Sequence, residues 1–320
     1  MPSTVSVALC TYNGERFLQQ QLDSLLAQER LPDQIVIRDD VSQDRTFEIL
    51  QAFVPVAQAR GISVDLQVNA ANVGYRRNFD GALRACNGEV IFLCDQDDVW
   101  HADKLARFCA EFAARPDLLA LHCNAELIDA DGRRLPGDLF GSLGIGPALL
   151  QRMHRGRALD VLLQRNMITG AAMGIRREIL AVALPLPDAP WVHDAWLGTL
   201  AAIMGDVDSL PERLIGYRIH SSNQLGLGGN DPTPRHARRT RQLQAEMIQS
   251  AQLHDRTGQI DGAEDARGLI LRRQQHMATR TALSASRLLR IKPVLRELAA
   301  GNYARFGRGV LSAGIDLLRR

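Results

Sequence analysis

The sequence predicts an α/β protein, a mostly parallel sheet flanked by helices with a helical region after it, and three observations lead there. Strand-like and helix-like stretches alternate β-α-β-α-β-α-β over roughly the first hundred residues, the order that gives parallel strands joined by right-handed crossovers. The strands are unbroken apolar runs such as Val90-Ile91-Phe92-Leu93-Cys94, the mark of burial on both faces. Three carboxylates, Asp95, Asp97 and Asp98, crowd the carboxyl end of that run, where open α/β sheets bind ligands.

Taken in order, residues 5–10 form the first strand and Thr11-Tyr12-Asn13-Gly14-Glu15 its turn, with Asn-Gly supplying the bend. Phe17, Leu18, Leu22, Leu25 and Leu26 then recur at helical spacing until Leu31-Pro32 stops the helix. Residues 34–38 are a strand running into Asp39-Asp40-Val41-Ser42-Gln43-Asp44-Arg45-Thr46, a turn that opens a helix over 47–59. A third strand at 64–68, a polar loop over 69–78 and a helix over 79–85 lead to the acidic tip. Beyond it the pattern gives strands at 118–129 and 169–175, a helix from Arg177, a further helix carrying Trp196, Leu197, Leu200 and Ile203, and an edge strand at Tyr217-Arg218-Ile219. Residues 235–257 and 263–289 read as two long helices, followed by more apolar residues at helical spacing.

Composition narrows the class. The net charge of +2 over 320 residues conceals an acidic body, with 21 basic and 29 acidic residues up to 234, and a basic tail with 17 and 7. The division expected is a catalytic domain at 1–226, a Gly-rich lid or linker at 227–234, and a basic helical region at 235–320. That tail fits an anionic membrane surface or a packing partner, including a second subunit; nucleic acid is disfavoured, since no aromatic interleaving or known motif accompanies the arginines. No apolar run approaches a membrane span and no leader pattern precedes the first strand, so a cytoplasmic protein, at most peripheral on the inner face of the membrane, is expected. Five scattered cysteines without CxxC spacing read as reduced core thiols. Neither GxGxxG nor GxxxxGK[ST] occurs, so a nucleotide held on this sheet would need a metal to neutralise its phosphates.

The Asp95-Gln96-Asp97-Asp98 tip suits a hard divalent cation, or else a solvated turn capping the next helix. Here the residues reach a family. Thr11-Tyr12-Asn13-Gly14-Glu15, Arg38-Asp39-Asp40-Val41-Ser42-Gln43-Asp44-Arg45-Thr46, Asn72-Val73-Gly74 and Cys94-Asp95-Gln96-Asp97-Asp98-Val99-Trp100 resemble, in order and spacing, the family 2 glycosyltransferases of GT-A fold, especially rhamnosyltransferase-like members of bacterial surface-polysaccharide clusters. Met167-Ile168-Thr169-Gly170, Trp191-Val192-His193-Asp194-Ala195-Trp196 and Tyr217-Arg218-Ile219-His220-Ser221-Ser222-Asn223 extend the likeness to about residue 226.

The resemblance implies an inverting, metal-dependent transfer of a sugar, L-rhamnose before others, from a dTDP- or UDP-linked donor to a saccharide or lipid-linked acceptor. It implies Mg²⁺ or Mn²⁺ on Asp97, with His220 either a second ligand or a hydrogen-bonded filler, and Asp95 near the ribose or behind the metal's direct ligands. Tyr12, in the turn with Thr11 and Glu15, would lie on the pyrimidine; Asp40, or Asp39, would accept the ring N–H unless both only cap a turn. Arg76 and Arg77, in the loop after Gly74, reach a phosphate or are solvated. Asp194 is the expected general base, since an inverting reaction needs one carboxylate to take the acceptor proton, with Trp191, His193 and Trp196 on the acceptor side, although Trp196 also fits a core position and His193 a helix cap. Two other classes compete: a haloacid-dehalogenase-like phosphatase with Asp95 as nucleophile, which wants the motif on a first strand, and a non-catalytic sugar-binding protein, which leaves Asp95, Asp97 and Asp194 without a joint purpose.

Overall fold

The computed structural model describes residues 3–220 and 235–318. The chain runs β1 (Val5–Thr11), α1 (Leu18–Leu26), β2 (Gln34–Asp39), α2 (Thr46–Ala59), β3 (Ser63–Val68), α3 (Tyr75–Ala85), β4 (Val90–Cys94), β5 (Val99–Trp100), α4 (Lys104–Ala114), β6 (Leu118–Ile128), β7 (Arg134–Asp138) and α5 (Leu139–Ser142). There follow α6 (Pro147–His154), α7 (Ala158–Leu162), β8 (Met173–Arg176), α8 (Leu180–Ala183), α9 (His193–Met204), β9 (Asp206–Arg218), α10 (Arg235–Thr257), α11 (Glu264–Thr281), α12 (Arg287–Ala299), α13 (Asn302–Phe306) and α14 (Val310–Leu318). Two compact units result: Met1–Ala158, Met167–Pro187 and Val192–Gly229 make the first, and Leu159–Asn166, Asp188–Trp191 and Asn230–Arg320 the second.

The first unit is a mixed sheet in the order β3-β2-β1-β4-β8-β6-β9-β5, with β7 on β6. The predicted parallel run is β3-β2-β1-β4; β8 is then antiparallel to both β4 and β6, and β6 is parallel to β9. Registers Leu9↔Cys94 and Thr11↔Asp39 align the carboxyl ends of β1, β2 and β4, so the turns at 11–15, 39–46 and 95–98 meet on one rim. Beneath it Val7, Leu9, Ile35, Ile37 and Phe92 are fully buried, covered by Leu18, Leu22 and Leu25 of α1 and by Leu105 and Phe108 of α4; each such side chain contributes about 1.5–3 kcal/mol.

Four local expectations change. Helix α3 starts at Tyr75, four residues earlier than expected, because Gly74 at φ 79° provides a left-handed entry; Arg76 and Arg77 therefore lie in a helix's first turn rather than in a loop. The stretch 169–175 begins as a 3₁₀ turn, Gly170–Ala172, before β8. Tyr217-Arg218-Ile219 is no edge: β9 is a thirteen-residue strand between β6 and the two-residue β5. The helix expected over 263–289 breaks after Thr281 and restarts at Arg287, as Ser284 Oγ accepts the Ser286 N–H at 3.1 Å, the local competition that keeps serine out of helix interiors. Ser221-Ser222-Asn223 and the stretch 226–234, expected as lid or linker, lie outside the described residues.

The second unit packs Leu243, Met277 and Phe306 in one cluster and Val294, Tyr303 and Ala313 in another. Its interior also holds Asp316, which accepts from Arg239 at 2.6 Å, Arg280 at 2.8 Å and Tyr303 at 2.9 Å. Burial alone would raise that carboxyl; Arg280 and Arg239 outweigh it and hold the pKa below the usual range.

Candidate active site

The rim is laced by side chains that bond backbone rather than solvent. Asp39 accepts from Thr11 Oγ1 at 2.8 Å and from Ser42 N and Oγ at 2.9 and 2.6 Å. Asp40 accepts from Asn69 Nδ2, Val73 N and Gly74 N at 2.8–2.9 Å, tying the end of β2 to the entry of α3. Between these anchors Val41 stands at φ 64°, a conformation costing a β-branched residue about 1–3 kcal/mol and sustained only by its surroundings. Glu15 takes the Arg45 N–H at 3.0 Å and donates its own N–H to Asp44 at 3.1 Å. Gln96 clamps Tyr12, accepting its N–H at 2.8 Å and donating to its carbonyl at 3.0 Å; a Cβ on Gly14 would sit 2.3 Å from that Gln96 oxygen. The Tyr12 side chain remains 38 % exposed.

At the tip of β4, Asp97 Oδ2 lies 2.8 Å from His220 Nε2, and His220 packs on Phe17 with ring centroids 4.7 Å apart. Asp98 is buried and spends Oδ1 on the Arg218 N–H at 2.9 Å, while its Oδ2 has no hydrogen-bond partner among the described residues. Arg218, fully buried, donates to the carbonyls of Asp97 at 2.6 Å and Asp129 at 3.0 Å and to Gln20 Oε1 at 2.6 Å, with its guanidinium 4.8 Å from the Phe17 ring. It fixes the backbone on which Asp97 rides and brings the end of β9 to it. Lys104, also fully buried, bonds the Ala171 carbonyl at 2.8 Å and stands 3.5 Å over the Trp100 ring; burial pulls its ammonium down to about 8 against the pull of nearby Cys123, Cys94, Asp98 and Asp95.

Asp194 sits in the first turn of α9, its carboxylate accepting the Gly170 N–H at 3.0 Å and the Ala195 N–H at 2.5 Å. A helix N-terminus favours a carboxylate there. The field of these acids converges. Burial, then Asp97 and Asp194, push the Asp95 carboxyl up to about 7, and burial, Asp97 and Asp95 raise Asp98 well above the usual carboxylate range. The Tyr217 hydroxyl is raised by burial and by Asp98, Asp95, Asp97 and Asp194 together. Asp194 and the β4 tip therefore share one electrostatic neighbourhood although 96 positions or more separate them in sequence.

Helix α3 adds a cluster that sequence reading missed. His193 stacks on Phe79 with centroids 4.3 Å apart and meets the edge of Tyr75 at 5.8 Å; both its ring nitrogens are buried without a hydrogen-bond partner among the described residues. Burial and the Arg76 charge push it down to about 3, so it is neutral. It does not cap α9, whose N-cap is Val192. Tyr75 is raised by burial, with Arg76 and Asp194 pulling in opposite directions, which places all three in mutual reach. Trp196 is a correction: it cannot offer a face to a sugar, being 1 % exposed with its indole N–H on the Ala183 carbonyl at 2.9 Å. Trp191 is buried and belongs to the second unit. Arg218, Lys104, Gln96 and Tyr75 were missed because nothing in spacing distinguishes a buried charge or a backbone clamp from a solvated one.

The acid cluster fits a divalent cation by the chemistry of its donors. A carboxylate oxygen and an imidazole nitrogen 2.8 Å apart match two neighbouring ligands on one ion, and the surrounding carboxyls are raised first by burial and then by one another's charge, the second of which a cation would relieve. Among the described residues no group of three or more His, Cys, Asp or Glu is arranged to hold a metal ion.

Comparison with known proteins gives three kinds of match. The sequence model for glycosyl transferase family 2 matches residues 6–182. A glycosyltransferase of Nostoc sp. is 28% identical over 225 residues, 68% of this chain and 66% of that protein, and a Mycobacterium tuberculosis protein is 28% identical over 227 residues, 59% of its length; the chain thus spans less than two thirds of these relatives. A Shigella flexneri dTDP-rhamnosyl transferase is 33% identical over 100 residues, 30% of this chain and 34% of that one. Among solved structures, S. aureus TarS 1–349 in complex with UDP-GlcNAc superposes with TM-score 0.58 at 15% identity, covering 95% of this chain and 89% of that one. The Pyrobaculum calidifontis mannosyltransferase in complex with GDP-Man and Mn²⁺ gives 0.56 at 18%, covering 99% and 86%. These likenesses establish the fold as GT-A.

Proposed function

The chain belongs to glycosyl transferase family 2, and on that premise we propose that it transfers a sugar from a pyrimidine nucleoside diphosphate to a hydroxyl of a saccharide or lipid-linked acceptor, with inversion. The observation that supports this is the common field of Asp95, Asp97 and Asp194 around Tyr217, as a diphosphate-handling tip and a base serving one reaction would require.

In this reading Tyr12 supplies an exposed ring for the pyrimidine, and the Asp39 and Asp40 turn shapes the pocket beside it. Asp40 takes the ring N–H or, as its bonds to Val73 and Gly74 favour, sets the wall that does. Asp95 lies beside the ribose. Asp97 and His220 would hold Mg²⁺ or Mn²⁺, leaving remaining positions to diphosphate oxygens and water, the usual arrangement for these ions. When bound, the cation neutralises the departing diphosphate as a Lewis acid. Arg76, in the first turn of α3, adds positive charge toward the phosphates, and Arg77 beside it serves the same end. Asp194, held by Gly170 N–H, takes the acceptor proton; neutral His193 and Tyr75 line the path to it. L-rhamnose is the favoured sugar, supported by the partial likeness to the Shigella enzyme, and a surface polysaccharide the favoured destination.

A donor screen tests the assignment. Calorimetry with dTDP- and UDP-sugars should give binding that requires, or is strengthened by, Mn²⁺ or Mg²⁺, with dTDP-rhamnose strongest. Absence of binding by every nucleotide sugar overturns it.

A further inference from the structure

The last two long helices of the second unit are inside out. Helix α12 buries Arg290, Val294 and Glu297, and α14 buries Ser312, Ala313 and Asp316. Leu298 and Leu317 still pack against the buried cluster, but most of the larger apolar side chains point away from the unit's interior: Leu288 is 77% exposed, Leu289 68%, Leu295 53%, Val310 76% and Leu318 68%. Of thirteen exposed large apolar residues among those described, seven lie on these two helices. The polar groups turned inward are satisfied. Arg290 donates to the Ser284 and Ala285 carbonyls at 2.5 and 2.8 Å, and Glu297 accepts from Asn302 at 2.7 Å with His276 Nδ1 equally close. Asp316 has the three donors described above. An ordinary surface helix buries leucine and exposes arginine; here the inversion is built into the packing, so the apolar face is a designed surface.

Its charge identifies what covers it. Between residues 286 and 318 the only carboxylates, Glu297 and Asp316, are buried, and every exposed charge there is positive: Arg287, Lys292, Arg296, Arg305 and Arg308. On α12 the stripe Leu288, Ile291, Leu295 runs beside the stripe Lys292, Arg296, as i, i+3, i+4 and i+7 spacings require. A second copy brought face to face by a two-fold axis would oppose like charges. An anionic bilayer offers headgroups to the cations and acyl chains to the leucines. No described helix is long and apolar enough to cross a membrane, so contact is in the plane of the interface.

We infer that the exposed faces of α12 and α14 dock the protein on an anionic lipid bilayer, an interaction independent of the transfer reaction. Full-length protein should sediment with vesicles of mixed phosphatidylglycerol and phosphatidylcholine at low salt and not with phosphatidylcholine alone. Both the pair Leu288→Ser, Leu295→Ser and the pair Lys292→Glu, Arg296→Glu should weaken that binding at least about tenfold, with unchanged unfolding temperature because all four side chains are exposed. No sedimentation with either vesicle, or undiminished binding by both variants, overturns the inference. So does a dimer in analytical ultracentrifugation that the leucine pair abolishes.

Discussion

Asp97 and His220 meet at 2.8 Å across 123 residues of sequence. If they share a cation, removing either donor acts on the cation rather than on the fold. Asp97→Asn and His220→Ala should each lower Mn²⁺ affinity by at least about 10–100-fold, with transfer falling in parallel and excess metal partly restoring it. Chelation of wild type should abolish transfer reversibly. Unaltered metal affinity in both variants would mean that the pair is only a hydrogen bond.

Arg218 holds the Asp97 carbonyl, and a lysine there keeps the charge while losing the planar fork. Arg218→Lys should leave at least one buried acceptor unsatisfied, at about 1–3 kcal/mol, and loosen Mn²⁺ binding. Denaturant titration and metal calorimetry read the two effects separately; lost stability with intact metal affinity would confine Arg218 to the fold.

Asp194→Asn should reduce transfer by about 10²–10⁴ while nucleotide-sugar affinity stays within about twofold, since its hydrogen bonds go to Gly170 and Ala195. Retained turnover in a radiolabelled-donor assay removes it from the base role.

His193 carries a pH signature. Folded, it stays neutral down to about 3, against 6.5 in an unconstrained chain. The unfolded state therefore binds the extra proton between those values, and stability is lost as pH falls below about 6.5, by up to about 1.4 kcal/mol per pH unit. His193→Phe, which keeps the stacking on Phe79, should flatten that slope in urea titrations at pH 7 and pH 5. Equal slopes in the two proteins would show that the ring is reached by solvent.

Two glycines should respond oppositely to alanine. A Cβ on Gly88 would lie 2.5 Å from the Ser6 backbone nitrogen, so Gly88→Ala should destabilise by about 1–3 kcal/mol. Nothing lies within 4 Å of the Cβ position of Gly81, inside α3, and Gly81→Ala should stabilise by up to about 1 kcal/mol. Thermal unfolding of the two variants checks both signs.

How much of this was legible follows from what each residue bonds to. Strands β1, β2 and β4 are buried on both faces, so their apolar runs name themselves, and the acidic tip stands out because nothing apolar explains it. Strand β9 did not, since its residues alternate irregularly through bulges against β6; nor did the entry of α3, whose first turn, Tyr75-Arg76-Arg77-Asn78, reads as polar loop. Asp39 and Asp40 were visible as a pair, but not that their oxygens go to Ser42, Val73 and Gly74. Trp196 kept both meanings until its indole was found on Ala183.

The position of β9 has a consequence for biosynthesis. It enters between β6 and β5 and ends two residues before His220, so the partner of Asp97 follows the last of the described strands to leave the ribosome. A nascent chain can complete β1 to β4 and bury their core long before that. If Asp97 and His220 hold the cation proposed above, competence to bind it arrives only once His220 has been made, and shorter nascent chains would not bind it.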